Sequence, residues 1–483
     1  MARPWRALAL AALIAAGGCA QFPANPPLDH YDPKAGYRFA GLSAEHNSDD
    51  LFVILTFSGG GTRAAALAYG VLEALRATPI VWHGERRTLL DEVDVISSVS
   101  GGSFAAACYA LVREHIFGSP GRPPSEPPVG PGCRDFETGF LKHDVQADLA
   151  GQLASPINWL RLASPTFDRI DLAAEYYDRE IFHGATYADL LPKGRPYLIV
   201  NATDMSQGAG FPFTQDRFDL LCADLAKVPL GRAVAASSAF PVLLTPLTIE
   251  NYASTKGCGY RPPPWVELAL KDYVRNPRRY AKARLVQSYA DPERDWIHLL
   301  DGGVADNIGL RDPLEAIASN DSSWSLVNAI NNGKIKKLVV VIVNARSSPD
   351  SSWDRKAQAP GLVDVLETAA GTSIDNYSFE TIELLRQKLA DYSQSEQVYA
   401  DCRAILGRQC PEKDMPFPPP PHADYYSINV EFEAVKDQKE RHELQNLPTS
   451  FSLRPQDVDR LRAVGGQLLR ESSDFQRLVG SLQ

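Results

Sequence analysis

Five short runs along the chain are almost unbroken in apolar and β-branched residues. They are LFVILTF (51–57), VDVISSV (93–99), PYLIVNA (196–202), WIHLL (296–300) and KLVVVIV (337–343). Runs of that length without polar alternation are the pattern of strands covered on both faces. Helical patterns fill the intervals at 63–77, 102–113, 170–180 and 312–318. Strand–helix alternation with double-sided burial predicts an α/β fold, a layered sandwich whose mostly parallel sheet carries helices on both faces. Beyond 345 the pattern predicts a long helix over 362–392, a strand over 425–432 and a helix starting near Pro455. Three segments break the rhythm: a Pro/Gly loop (118–132), a basic aromatic stretch (260–285) and a polyproline spacer (416–422).

The first residues follow a different logic. Arg3 and Arg6 precede an apolar stretch over 7–18, which ends in the small residues Ala16-Gly17-Gly18 before Cys19. That is a secretory leader, too short to span a bilayer as a folded helix. Its end resembles a bacterial lipobox, so residues 1–18 are expected as a lipoprotein signal and Cys19 as the lipidated residue. With Ala20 next, the expected location is the cell envelope, at the outer membrane facing the periplasm. Pro-rich residues 19–47 read as a tether, 48–345 as the main α/β core and 346–483 as an α/β extension packed on it.

With 44% apolar residues the chain can bury a sizeable core. A net charge of −10 argues against nucleic acid as a partner. Setting Cys19 aside, Cys108, Cys133, Cys222, Cys258, Cys402 and Cys410 permit up to three disulfides in an oxidising compartment; Cys402 and Cys410 are close enough to clip one loop. No cysteine or histidine spacing suits zinc, so neither metal nor cofactor is expected.

Three segments carry chemistry. FSGGGTRAAALAYG (57–70) places Gly59, Gly60 and Gly61 between a strand and an alanine-rich helix, a nest of backbone amides for an anion. A dinucleotide site would need a second strand ending in an acid about twenty residues on, and the short PIVW (79–82) ends instead in His83-Gly84. An oxyanion fits better. In DVISSVSGGSFAAACYA (94–110) a strand meets Ser100 and then a helix, the layout of a nucleophile elbow. The positions two before and two after must be small, here Ser98 and Gly102. In WIHLLDGGVADNIGL (296–310) a strand ends in Asp301 before Gly302-Gly303, a carboxylate placed to take a proton. An amide nest, an exposed serine and a strand-end carboxylate together make an acyl-transfer site.

With SGGGTR, SVSGG and DGG in this order, the chain resembles the patatin-like phospholipases over roughly residues 50–345, and AVAASSAFPVLLTP (233–246) is similar to a further stretch of that family. The resemblance implies the patatin-like sandwich and a lipid acyl hydrolase of phospholipase A type. Ser100 and Asp301 would form the dyad, and Gly59, Gly60, Gly61 and Thr62 the oxyanion loop. Arg63 would take the family's basic position, where it braces the loop or meets a lipid phosphate, with Gly102 and Gly302 in support. It also implies membrane lipids or other fatty-acyl esters as partners, with anchoring through Cys19. Ser58 stands where the family often has aspartate, and Ser98 where the elbow usually has glycine. A Ser–Asp–His triad would need a histidine beyond Asp301, and only His422 and His442 are available, neither in a strand-to-helix turn. A catalytically silent binding lipoprotein is the alternative of another class.

Overall fold

The computed structural model describes residues 21–483 apart from 22–23, 46, 119–132, 242, 349–356, 358, 410–414, 416–418 and 421. The expected leader (1–18), Cys19, nearly all of the 118–132 loop and most of the 416–422 proline run lie outside the described residues.

The strands are β1 (Leu51–Phe57), β2 (Pro79–Trp82), β3 (Glu85–Thr88), β4 (Val93–Val99), β5 (Tyr197–Asp204), β6 (Ala209–Phe213), β7 (Leu247–Glu250), β8 (Trp296–Asp301), β9 (Lys337–Asn344) and β10 (Asp424–Glu431). β2 and β3 form a small hairpin; the others make one sheet in the order β10-β9-β1-β4-β5-β8-β7, with β6 also on β5. From β10 to β5 the strands are parallel. The protein is therefore a mixed α/β fold with a mostly parallel central sheet flanked by helices. Every residue of β1, β4, β5 and β9 is buried, as their unbroken apolar runs require.

β8 departs from that expectation. It runs antiparallel to both β5 and β7, and its burial alternates: Ile297 and Leu299 are buried, while Trp296 and His298 face solvent. Antiparallel strands tolerate one wet face, which an apolar run does not reveal. The His298 ring is held at the surface by Thr248, at 3.0 Å.

The segment read as a tether is in fact docked on the core from Asn25 onward. The Leu28 and Tyr31 amides donate to the carbonyls of Cys222 and Cys258. Tyr37 is completely buried against Tyr187 and Tyr197, and its hydroxyl accepts the Leu198 amide at 2.7 Å. Burying one such ring contributes about 2 kcal/mol. Arg38 pairs with Asp216 and Asp219 at 2.6 and 2.7 Å. Proline content masked this aromatic anchor, whose partners lie far along the chain.

The C-terminal region is built into the same unit. β10 extends the sheet alongside β9, and helix Pro455–Glu471 packs on helix Gly61–Arg76, with Arg462 paired to Glu73 at 2.8 Å. Disulfides join Cys108 to Cys133 and Cys222 to Cys258. Cys402 is an exposed free thiol on helix Leu362–Gln409, and its possible partner Cys410 lies outside the described residues.

Candidate active site

Strand β4 ends at Val99, and Ser100 then takes φ 49°, ψ −122° before helix Gly101–Val112 begins. A non-glycine residue at positive φ is strained, and such a turn persists only where its surroundings over-determine it. Here the determinants are explicit. The Ser100 amide donates to Ser237 Oγ at 2.8 Å, and that hydroxyl donates onward to the Asn201 carbonyl at 2.6 Å. A Cβ at Gly102 would stand 2.6 Å from the Ser58 carbonyl oxygen, and one at Gly101 2.0 Å from that of Gly61. The crowding that makes Gly102 necessary thus comes from the end of β1 rather than from Ser98, whose hydroxyl donates to the Ile199 carbonyl.

The same contacts press the glycine loop against the serine turn. Gly60 and Gly61 have φ 135° and 59° and open helix Gly61–Arg76. Two of the four expected oxyanion donors are already engaged: Gly59 N–H donates to the Asn307 carbonyl and Thr62 N–H to the Ser450 carbonyl, both at 2.9 Å. The nest open to an anion therefore narrows to the amides of Gly60 and Gly61, at the positive end of a 16-residue helix. Ser58 ties this loop down, its hydroxyl accepting the Ala345 amide at 2.9 Å.

Asp301 arrives from the opposite direction. β5 runs on past the level of Val99, and antiparallel β8 pairs along this extension, matching Asp301 with Ala202. The carboxylate thus reaches the C-terminal edge of the parallel strands although its own strand runs the other way. Its amide donates to the Ala239 carbonyl and that of Gly302 to the Ser237 carbonyl, at 3.0 and 3.1 Å. A Cβ at Gly302 would sit 2.2 Å from the Asn201 carbonyl oxygen, so only glycine permits this approach. The Asp301 carboxylate accepts the Gly303 amide at 2.7 Å, and the Ser100 side chain lies near enough to act on its charge. Burial raises its pKa to about 6, with the Gly303 amide and the Ser100 side chain opposing the rise.

Arg63 is buried. Its guanidinium donates to the Ala345 carbonyl (2.9 Å), the Leu447 carbonyl (2.5 Å) and Thr449 Oγ1 (3.0 Å). All three acceptors are neutral, and desolvation lowers its pKa to about 10. Of the two roles left open by the sequence, the structure gives it the brace, which clamps residues 447–449 over the start of helix Gly61–Arg76. Phe451, just beyond, packs edge-on against Phe104.

His422 is held by Glu396 at 2.7 Å, and His442, on helix Gln438–Gln445, bonds Asn446 at its C-cap. Neither is a partner of Asp301. Among the described residues no group of His, Cys, Asp and Glu is arranged to hold a metal ion.

Two positions escaped the sequence reading. Ser237 lies in the noted 233–246 stretch, but its bond to Ser100 spans 137 residues. Asn307 gave no signal, yet its carbonyl fixes Gly59, and its Oδ1 lies 2.5 Å from where a Gly59 Cβ would stand and 2.9 Å from a Gly303 Cβ. Ser237→Ala leaves the Ser100 amide and the Asn201 carbonyl without that buried partner. The expected result is a stability loss of about 1–3 kcal/mol with a lowered kcat and little change in KM, read by thermal unfolding and steady-state kinetics. Unchanged stability and kcat would remove Ser237 from this role.

The segment holding the nest and the serine turn, residues 55–119, matches the family described as Patatin-like phospholipase. No curated protein matches the chain significantly. Among solved structures, human GIVD cytosolic phospholipase A2 overlaps at TM-score 0.34 and 12% identity, covering 90% of this chain and 62% of that one. Its complex with methyl gamma-linolenyl fluorophosphonate overlaps at TM-score 0.39 and 13% identity, covering 90% and 59%. VipD from Legionella pneumophila overlaps at 0.31 and 13%, covering 95% and 71%. Superpositions this loose carry no argument, and the chain spans about three fifths of the human enzyme's length. The match to that family, over 55–119, contains both the glycine nest and the serine turn.

Proposed function

We propose that the protein is a lipid acyl hydrolase of phospholipase A type that works through a Ser100–Asp301 dyad. The family match supports lipid-ester hydrolysis at the level of the family. The observation that carries the finer reading is the convergence of Ser100, on a strained strand-to-helix turn, with the buried Asp301 carboxylate, whose pKa the Ser100 side chain helps to lower.

In this mechanism Asp301 takes the hydroxyl proton as Ser100 Oγ attacks the ester carbonyl carbon. The Gly60 and Gly61 amides hold the oxyanion that forms, an interaction worth about 3–4 kcal/mol per donor in comparable sites. As the tetrahedral species collapses, Asp301 returns the proton to the departing alcohol and leaves an acyl-serine. Water then gives its proton to Asp301, attacks the acyl carbon and releases the fatty acid while the proton goes back to Ser100. The N-terminus of helix Gly101–Val112 favours the negative charge at each stage. A cavity of about 600 Å³, bordered by Asn201 and Gly302 beside the dyad, is large enough for part of a lipid.

We also propose that the chain works in the bacterial envelope, anchored at the outer membrane through lipidated Cys19. The two disulfides support an oxidising compartment.

An alkyl fluorophosphonate is expected to label wild-type protein once per chain, at Ser100, located by peptide mass. A panel of defined phospholipids and p-nitrophenyl esters then ranks the substrates. Labelling at another residue, or none, would sink the dyad.

A further inference from the structure

We propose that the helical hairpin Pro264–Ser288 docks on an anionic phospholipid surface and thereby points the mouth of the 600 Å³ cavity at the bilayer; the orientation rests on the lipid-hydrolase reading above. Residues 261–284 carry seven Lys and Arg against two acids, in a chain whose net charge is −10. The hairpin consists of helices Pro264–Leu270 and Pro277–Ser288.

Its inner face is tied to the core. Val266, Ala269, Ala283 and Val286 are buried, Arg279 pairs with Asp321 at 2.6 Å, and Lys282 pairs with Glu315 beside the Trp265 ring. The outer face is different. Val274 is 89% exposed, the highest value among the exposed large hydrophobics described, with Tyr273 and Leu268 at 64% and 62%. Arg275, Arg278 and Arg284 are exposed around them, with no ion pair among the described residues. An apolar tip ringed by uncompensated guanidinium groups, on an otherwise acidic protein, is complementary to a membrane with anionic head groups. An uncharged bilayer would leave the arginines without a counter-charge.

The position matters as much as the charge. Tyr273, Pro277, Tyr280 and Arg284 also line the cavity, whose lining includes Gly302 next to Asp301. A bilayer under the hairpin would therefore lie at the entrance to the site. The contact is peripheral, and none of the described helices is long and apolar enough to cross a membrane.

The test uses the chain from Ala20, which keeps every described residue and lacks both leader and Cys19, with Ser100→Ala so that vesicles are not consumed. Sedimentation with vesicles of phosphatidylcholine containing phosphatidylglycerol is compared with phosphatidylcholine alone. The expected result is binding to the anionic vesicles that weakens with salt and falls about tenfold or more in Arg275→Glu/Arg278→Glu. It should fall again in Val274→Asp, while the melting temperature holds. Equal binding to both vesicle types, no binding, or anionic binding untouched by these substitutions would overturn the proposal. With Ser100 restored, the same variants are expected to hydrolyse a short soluble ester at the parent rate. Loss of that turnover in the parent itself would strike the hydrolase reading, whereas the vesicle result stands independently of it.

Discussion

Ser100→Ala is expected to lose ester hydrolysis by about 10⁴-fold or more while folding as the parent does. In the proposed mechanism the size follows from removing the only atom that would form the acyl intermediate, since the remaining nest and base cannot substitute for a nucleophile. The unchanged fold follows from what holds the turn. Ser100 is fixed through its backbone, by the amide bond to Ser237 and by the close contacts of the next two glycines, and alanine keeps both. The side chain faces Asp301, and losing its hydroxyl pushes that carboxylate's pKa further up, because the Ser100 side chain is one of two groups opposing the rise. The measurement is kcat/KM on a short p-nitrophenyl ester beside a thermal melt. Activity at the parent level in a folded variant would exclude Ser100 as nucleophile.

What the sequence made legible is local. Unbroken β-branched runs marked β1, β4 and β9, because parallel strands buried on both faces leave no room for alternation. The serine turn and glycine nest were readable for the same reason, since small residues at fixed offsets report a close approach within a few positions. Contacts between distant segments were not legible. Nothing in GGGTR reveals that the Gly59 and Thr62 amides meet the carbonyls of Asn307 and Ser450, or that Arg63 reaches Leu447 across 384 residues. The orientation of β8 was hidden too, because Asp301 ends its strand whichever way that strand runs. Prolines around Tyr37 suggested a tether, although one buried aromatic decided the segment's fate.

Asp301→Asn is expected to abolish turnover and, at the same time, to stabilise the protein above neutral pH. In the folded chain the pKa of this carboxyl is about 6, against an ordinary value of 3.8, because burial disfavours its charge. The sign follows from proton counts. Between the two values the folded state binds more protons than the unfolded one, so stability falls as pH rises from about 4 through 6 and is level beyond. A separation of about two pKa units corresponds to about 3 kcal/mol of strain carried by the ionised wild type. Asparagine removes that charge and keeps an oxygen able to accept the Gly303 amide. The variant should therefore melt above the wild type at pH 8, with most of the gain gone by pH 4.5. Other raised carboxyls such as Asp219 and Asp312, both near 6, titrate alike in the two proteins and cancel in the difference. Wild-type kcat/KM on a soluble ester should rise with pH through about 6 and then level, since the base works only when ionised. A variant less stable than wild type at pH 8, or a wild-type profile flat from pH 4.5 to 8, would show that Asp301 is neither strained by burial nor the base. In the proposed mechanism stability and activity then report one quantity from two sides: the buried charge that strains the folded chain would be the charge that takes the serine proton.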